Sequence, residues 1–261
     1  MTGGTRGIGR AIVEGAVGRG ARVSFLGRDA AAVDETEKLL TEAGGQVAGV
    51  AADVVDEVAV RAAVAAVAER LGPVDVLVNN AGLNTSQGPL HEADLGEWWR
   101  DVSVNLLGSA VCAAAVLPSM IERRGGRIIS MVSGTAGRAT PHNSAYASAK
   151  AAVVRLSDSL AGEVAEHGIA VFALRPGTIA TDMVARFAAS PATRKYLGEQ
   201  AAAMRPGTPE KAVAATLFLA EGRGDALAGL WIDADEDLED LVARAPQLHA
   251  ADLYQLRRRR A

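Results

Sequence analysis

Tyr146 and Lys150 stand four residues apart in Ser144-Ala145-Tyr146-Ala147-Ser148-Ala149-Lys150, a segment rich in alanine. Alanine is the strongest helix former, and residues four apart lie on one face of a helix, one turn above the other. A lysine ammonium near a phenol favours the phenolate and draws the tyrosine pKa down from about 10. A tyrosine tuned in this way gives or takes a proton near neutral pH, which is what general acid–base catalysis needs. Ser133 ends the apolar run 128–132, which reads as a strand. A hydroxyl at a strand's carboxyl end, facing such a helix, has a hydrogen bond to offer a substrate oxygen. Tyr-x-x-x-Lys alone describes many surface pairs, so its weight comes from the rest of the chain.

The chain opens on Thr2-Gly3-Gly4-Thr5-Arg6-Gly7-Ile8-Gly9 and runs into Arg10-Ala11-Ile12-Val13, a helix start. Glycines there let the backbone turn tightly and approach a pyrophosphate, which the helix N-terminus attracts. The spacing is Thr-Gly-x-x-x-Gly-x-Gly, not the Gly-x-Gly-x-x-Gly fingerprint. In dinucleotide folds the end of the second strand selects the cofactor: an acid binds the ribose 2′-hydroxyl, and an arginine accommodates a 2′-phosphate. Here Gly27 stands where the acid is expected and Arg28 follows, with Arg6 inside the glycine loop. The two arginines favour NADP(H) over NAD(H). Asp29 fits better as the N-cap of the helix expected over 30–43.

These residues need a scaffold, and the pattern supplies one. Strands are expected at 22–26, 46–51, 74–78, 127–132, 169–174 and 230–232, with helices at 56–71, 94–124 and 144–166 between them. The 94–124 stretch should bend near Pro118. Alternation of this kind argues an α/β, doubly wound parallel sheet, Rossmann-like and three-layered. Ligands bind such sheets at the carboxyl ends of the strands, where Gly82, Ser133 and Pro176 all fall. With 261 residues, 49% of them hydrophobic and 22% charged, the chain suits one such domain. Its net charge of −4 gives no nucleic-acid footprint. The one cysteine, Cys112, lies in an apolar helical run and reads as a small core residue, so no intrachain disulfide is possible. No apolar leader follows Met1, and no apolar run reaches the length of a membrane span, which makes the cytoplasm the expected location. No cluster has metal-ligand spacing.

Taken in order, residues 2–9, Asp53-Val54, Asn79-Asn80-Ala81-Gly82, Asn105, Ser133, Tyr146/Lys150 and Pro176-Gly177 resemble the short-chain dehydrogenase/reductase family, in its Tyr-x-x-x-Lys branch. The resemblance covers residues 1–232. It implies that Tyr146 passes a proton to or from the carbonyl oxygen and that Ser133 polarises that oxygen. It implies that Lys150 tunes the tyrosine and holds the nicotinamide ribose, and that Asn105 anchors a water leading from Lys150 to solvent. The cofactor would meet Gly3, Thr5, Arg6, Gly7, Ile8, Gly9 and Arg28 at its phosphates. Asp53 and Val54 would lie at its adenine, and Asn80, Ala81 and Gly82 on the adenine-ribose side. Tyr146, Lys150, Pro176, Gly177, Ile179 and Thr181 would meet it around the nicotinamide. The implied activity is NADP(H)-dependent reduction of a ketone or aldehyde, or oxidation of a secondary alcohol. A non-catalytic NADP-binding or scaffold protein on the same fold is the alternative. An epimerase or dehydratase is disfavoured by the glycine spacing.

Two departures stand out. The family has a central strand just before Thr-Gly, and here only Met1 precedes Thr2. Losing four or five buried apolar side chains, at roughly 1.5–3 kcal/mol each, removes about as much as a domain's net stability. The expectation is that this start is internal to the gene, at a valine codon GTG read as Met. The other departure is residues 233–261, an extension beyond the last strand with two short helices expected near 238–242 and 252–256, then Arg257–Arg260. It should pack on the same domain or on a neighbouring subunit. Residues 182–205 read as a mobile lid. Thr135, His142, Asn143, Met183 and Phe187 are candidates to face substrate. Small residues on the helices of Asn105 and Tyr146 (Ser109, Ala110, Ala113, Ala114, Ala151, Ala152, Ser159) suggest close helix packing between copies, so a homodimer or homotetramer is expected.

Overall fold

Strand and helix alternate along the whole computed structural model, which describes residues 1–257. The strands are β1 (Val23–Gly27), β2 (Val47–Ala51), β3 (Val76–Asn79), β4 (Gly126–Met131), β5 (Ile169–Arg175) and β6 (Trp231–Asp233). The helices before the last β-strand begin with α1 (Gly7–Val17), α2 (Ala30–Glu42), α3 (Glu57–Leu71), α4 (Leu95–Val102), α5 (Gly108–Arg123) and α6 (Ser144–Val164). Then come α7 (Asp182–Ala189), α8 (Pro191–Tyr196), α9 (Gly198–Ala203) and α10 (Glu210–Ala220), and finally α11 (Leu238–Ala250). Asp29 and Asp56 cap α2 and α3, accepting from Ala32 N and Ala59 N at 3.3 and 3.0 Å.

All strand pairs are parallel, so both sheet faces need cover. Side chains alternate across the sheet with the period of two. Ile128 and Val171 pack under α3, α5 and α6 with Val60, Val116 and Leu160. Ile129, Phe172 and Leu174 pack on the other face with Ile12 of α1, Phe218 and Leu219 of α10, and Leu241 and Leu248 of α11. The result is the three-layer, doubly wound α/β class read from the sequence.

The sheet is divided. β1 and β2 form one ladder and β3-β4-β5-β6 another. Residues 1–4 bridge them: Leu26 N donates to the Met1 carbonyl at 2.9 Å, Gly3 N donates to the Leu26 carbonyl at 2.8 Å, and Thr2 N donates to the Val78 carbonyl at 3.0 Å. Met1 and Thr2 stand in the place of the strand expected between the two ladders. A cavity lined by Ser24, Val60, Val64, Leu77 and Cys112 continues the gap below them. Burial there pushes the Met1 ammonium down to about 6 and the Cys112 thiol up to about 11, as fits a core cysteine.

Four local expectations are corrected. The bend in 94–124 is not at Pro118, which sits inside α5; it is one wide π turn, Ser103–Leu107, between α4 and α5. The continuous helix Leu95–Arg123 is long and apolar enough to cross a membrane by composition, with a mean hydropathy of 1.8. Half of that window is buried against the sheet, as befits a core helix. The extension forms a single long helix, α11, followed by turns, and α11 buries Leu238, Leu241 and Leu248 on its own domain. Arg258 to Arg260 of the basic tail lie outside the described residues. Ser109 and Ala113 face the core instead of a partner, because the π turn rotates α5 relative to α4.

Candidate active site

The strands' carboxyl ends bring the motifs together. At the end of β3, Thr2 Oγ1 accepts from the N–H groups of Asn80 and Ala81, both at 2.9 Å. Asn80 Nδ2 returns a bond to the Thr2 carbonyl at 3.0 Å. These bonds fix the glycine loop to the β3 edge. Gly3 and Gly7 both hold positive φ, 67° and 56°, where a Cβ would be strained. Arg6 precedes α1 without capping it by its side chain, so the first amides of that helix, around Gly7, Ile8 and Gly9, keep donors for an anion.

The cofactor-selecting end of β1 is closed to an acid. A Cβ at Gly27 would lie 2.9 Å from both Thr5 Cγ2 and Val33 Cγ2. Arg28 and Arg6 beside it are exposed, Arg6 lying 3.7 Å from Asp182 at the start of the lid. Asp53 turns the chain after β2 by accepting from Val55 N at 3.2 Å. The Val54 side chain is buried in the core beneath Gly108, which leaves its backbone as the part near that edge. After β5, Pro176 and Gly177 lead to the buried Ile179 and to Thr181, which caps α7 and lies against Gly7.

The π turn carries Asn105. A π turn widens the helix by one residue and is common at functional sites. Here it lets Asn105 Nδ2 donate to both the Leu83 carbonyl (2.7 Å) and the Asp101 carbonyl (2.8 Å). Its Oδ1 is buried and has no partner in the protein, and it stands 2.8 Å from where a Cβ at Gly82 would be. That acceptor is oriented and vacant, ready for a water proton. Lys150 is buried on α6; its Nζ donates to the Met131 carbonyl at 2.9 Å and lies 5.7 Å from the Tyr146 ring centroid. Burial pushes its pKa down to about 8. Ser133 Oγ accepts from Thr135 N at 3.3 Å and Thr135 Oγ1 at 3.1 Å, which leaves its own proton for the Tyr146 oxygen or a substrate oxygen.

The tyrosine differs from expectation in one respect. Its pKa is raised, not lowered: loss of water contact pushes the phenol up, the Ser133 hydroxyl pulls it back, and the Asp101 carboxylate pushes it up again. Lys150 gives its hydrogen bond to the Met131 carbonyl, and its ammonium lies 5.7 Å from the centre of the tyrosine ring.

Sequence reasoning did not single out Asp101. It is fully buried and accepts from Thr85 N (2.7 Å), Thr85 Oγ1 (2.7 Å) and Ser86 N (2.9 Å), fixing the loop after Gly82. Its place four residues before Asn105, on the same helical face, was the available signal. Tyr196 on the lid was missed too. Its ring stacks on His142 at 4.9 Å between centroids, and its hydroxyl donates to Glu92 Oε2 at 2.8 Å. Of the residues expected near substrate, Thr135 touches Ser133, His142 meets the lid, Asn143 is buried before α6, and Met183 reaches toward Gly82. Phe187 is half-buried on α7.

The donors fit a dinucleotide. The glycine loop has no room for a side chain at Gly9, where a Cβ would fall on the Gly3 carbonyl oxygen, and the helix amides lie open above it.

The family model described as short chain dehydrogenase matches residues 1–192. The chain is 38% identical over 214 residues to a Xanthobacter autotrophicus protein named inactive 2-(S)-hydroxypropyl-CoM dehydrogenase 2, covering 80% of this chain and 90% of that one. Among its curated relatives, the share of the relative's own length that it spans runs from 60% to 93%. Two solved structures are 30% identical: a gluconate 5-dehydrogenase from Burkholderia cenocepacia in complex with NADP and tartrate, and a variant actinorhodin polyketide ketoreductase with NADPH. The first has a TM-score of 0.79 and covers 89% of this chain and 90% of that one. The second has a TM-score of 0.81 and covers 92% of this chain and 95% of that one. With its parallel sheet, its glycine loop and its Ser/Tyr/Lys cleft, the chain belongs to the short-chain dehydrogenase/reductase family.

Proposed function

We propose that the protein is an NADP(H)-dependent oxidoreductase that reduces a ketone or aldehyde, or oxidises a secondary alcohol. One observation carries this reading: Ser133, just after β4, bonds the Tyr146 phenol, Lys150 is buried one turn further along the tyrosine helix, and Asn105 Oδ1 is buried without a protein partner. The nicotinamide, when bound, supplies or accepts the hydride. The chain's own residues do the rest. Ser133 donates to the substrate oxygen and holds it toward Tyr146. Tyr146 gives that oxygen its proton as the alcohol forms, and its raised pKa keeps the proton in place until then. Lys150, when charged, steadies the resulting phenolate, and a water on Asn105 Oδ1 returns a proton from solvent. Arg6 and Arg28 favour a 2′-phosphate, since each is exposed and offers charge-assisted bonds beside Gly27, where an acid would otherwise select the ribose hydroxyl. The copies would assemble as a dimer or tetramer.

A panel of ketones assayed with NADPH and with NADH tests the reading. Turnover with NADPH is expected; binding of NADPH without turnover of any ketone or alcohol would leave the non-catalytic alternative. One observation favours that second reading: the name of a relative 38% identical over 214 residues calls it inactive.

A further inference from the structure

We propose that the C-terminal turn Tyr254 to Leu256, acting with Trp231, is a positioning unit that sets the place of Ser133; the inference rests on the oxidoreductase reading above. β6 is the edge strand, and its outward N–H groups do not face solvent. Trp231 N–H donates to the Tyr254 carbonyl at 2.7 Å, and Asp233 N–H donates to Glu236 Oε2 at 3.0 Å. The other Glu236 oxygen accepts from the Tyr254 hydroxyl at 2.5 Å. Asp252 and Tyr254 adopt φ of 51° and 58°, a left-handed backbone that non-glycine residues hold only when surrounding contacts enforce it.

The turn so fixed reaches the back of the catalytic cleft. Leu256 packs against the cluster formed by Val132, Ala136, Val153, Val154 and Ala173. Val132 precedes Ser133, Ala136 lies in the 3₁₀ turn Gly134–Gly137 that follows it, and Val153 and Val154 lie on the tyrosine helix. Arg155 of that helix donates to the Leu256 carbonyl, and Arg257 donates to Asp158 on the same helix at 2.6 and 3.2 Å. The Trp231 indole supports the turn from beneath: a Cβ at Gly137 would lie 2.8 Å from its Cη2 and 2.9 Å from its Cζ3. Ser133 caps the turn through Thr135 N, so displacing the turn displaces the hydroxyl.

The test uses full-length variants. Gly137→Ala inserts a methyl against the indole. It should lower kcat for ketone reduction about tenfold or more, since small misplacements in an active site are costly. NADPH affinity should stay within about twofold, because that cradle lies on other strands. Trp231→Leu, which removes the supporting indole, should lower kcat in the same way. Leu256→Ala should lower kcat in the wild-type background and add nothing in a Ser133→Ala background, a non-additivity that general destabilisation would not produce. Wild-type kcat in Gly137→Ala or in Trp231→Leu, or full additivity with Ser133→Ala, would overturn the proposal. Amide exchange of residues 133–138 in cofactor-free Leu256→Ala gives a readout independent of turnover. Faster exchange there supports positioning, and unchanged exchange refutes it even if no ketone is reduced.

Discussion

At the scale of single residues, the cleft separates proton delivery from charge support. Tyr146→Phe keeps the ring and removes the transferable proton. Its kcat should fall at least about a hundredfold, with NADPH affinity nearly unchanged by fluorescence titration. Lys150 titrates at about 8, below its ordinary 10.5, because it is buried. Above pH 8 the folded protein loses the ammonium that steadies the phenolate, so kcat/KM for reduction should fall with a basic limb near 8. The same shift sets a stability trend. Between about 8 and 10.5 the unfolded chain holds a proton on this lysine that the folded chain does not, so stability rises with pH across that window. Denaturant melts of wild type and Lys150→Met should differ in slope there and run parallel well below 8. Arg28→Asp should move cofactor preference toward NADH, read as the ratio of kcat/KM values for the two cofactors. The identities of Tyr146, Lys150, Ser133 and Asn105 were legible because their chemistry is tied to spacing and strand ends. The direction of the tyrosine shift was not. It depends first on how deeply the fold buries the phenol, and then on Asp101, far enough away in sequence to be overlooked.

At the scale of elements, α8 is held by stacking. His142 immediately precedes the buried Asn143 and α6, and its ring meets Tyr196 of α8, whose hydroxyl is held by Glu92. His142→Ala removes one half of the stack and should raise KM for substrate severalfold with a smaller change in kcat, as lid residues do when closure is weakened. Strands and most helices could be read from alternation and capping residues. The π turn could not, because an extra residue in a helical turn leaves no mark in composition, whereas Pro118 draws attention and costs the helix only one hydrogen bond. The extension is one helix where two short ones were expected: Leu238, Leu241, Ala245 and Leu248 continue one buried stripe past Pro246.

At the scale of the whole molecule, two surfaces contrast. The β6 edge is covered by the chain's own terminus, while Leu95, Trp99 and Leu107 around α4 and the π turn stay exposed. Self-association should therefore use the α4 side: light scattering should show a dimer or tetramer, and Trp99→Glu should shift it toward monomer without lowering the melting temperature. That the tail folds on its own domain was left open by the sequence, since apolar residues at helical spacing state that a surface is needed but not whose.

The proposed dinucleotide would span both ladders, with its 2′-phosphate end at Arg28 after β1 and its nicotinamide end at Tyr146 and Lys150 beyond β4. A ligand that grips both ends only in their assembled arrangement stabilises that arrangement by mass action. NADPH should then slow amide exchange in β1 and β2 together with β4 and β5. Adenosine 2′,5′-bisphosphate, which reaches Arg28 but not Tyr146, should protect β1 and β2 alone.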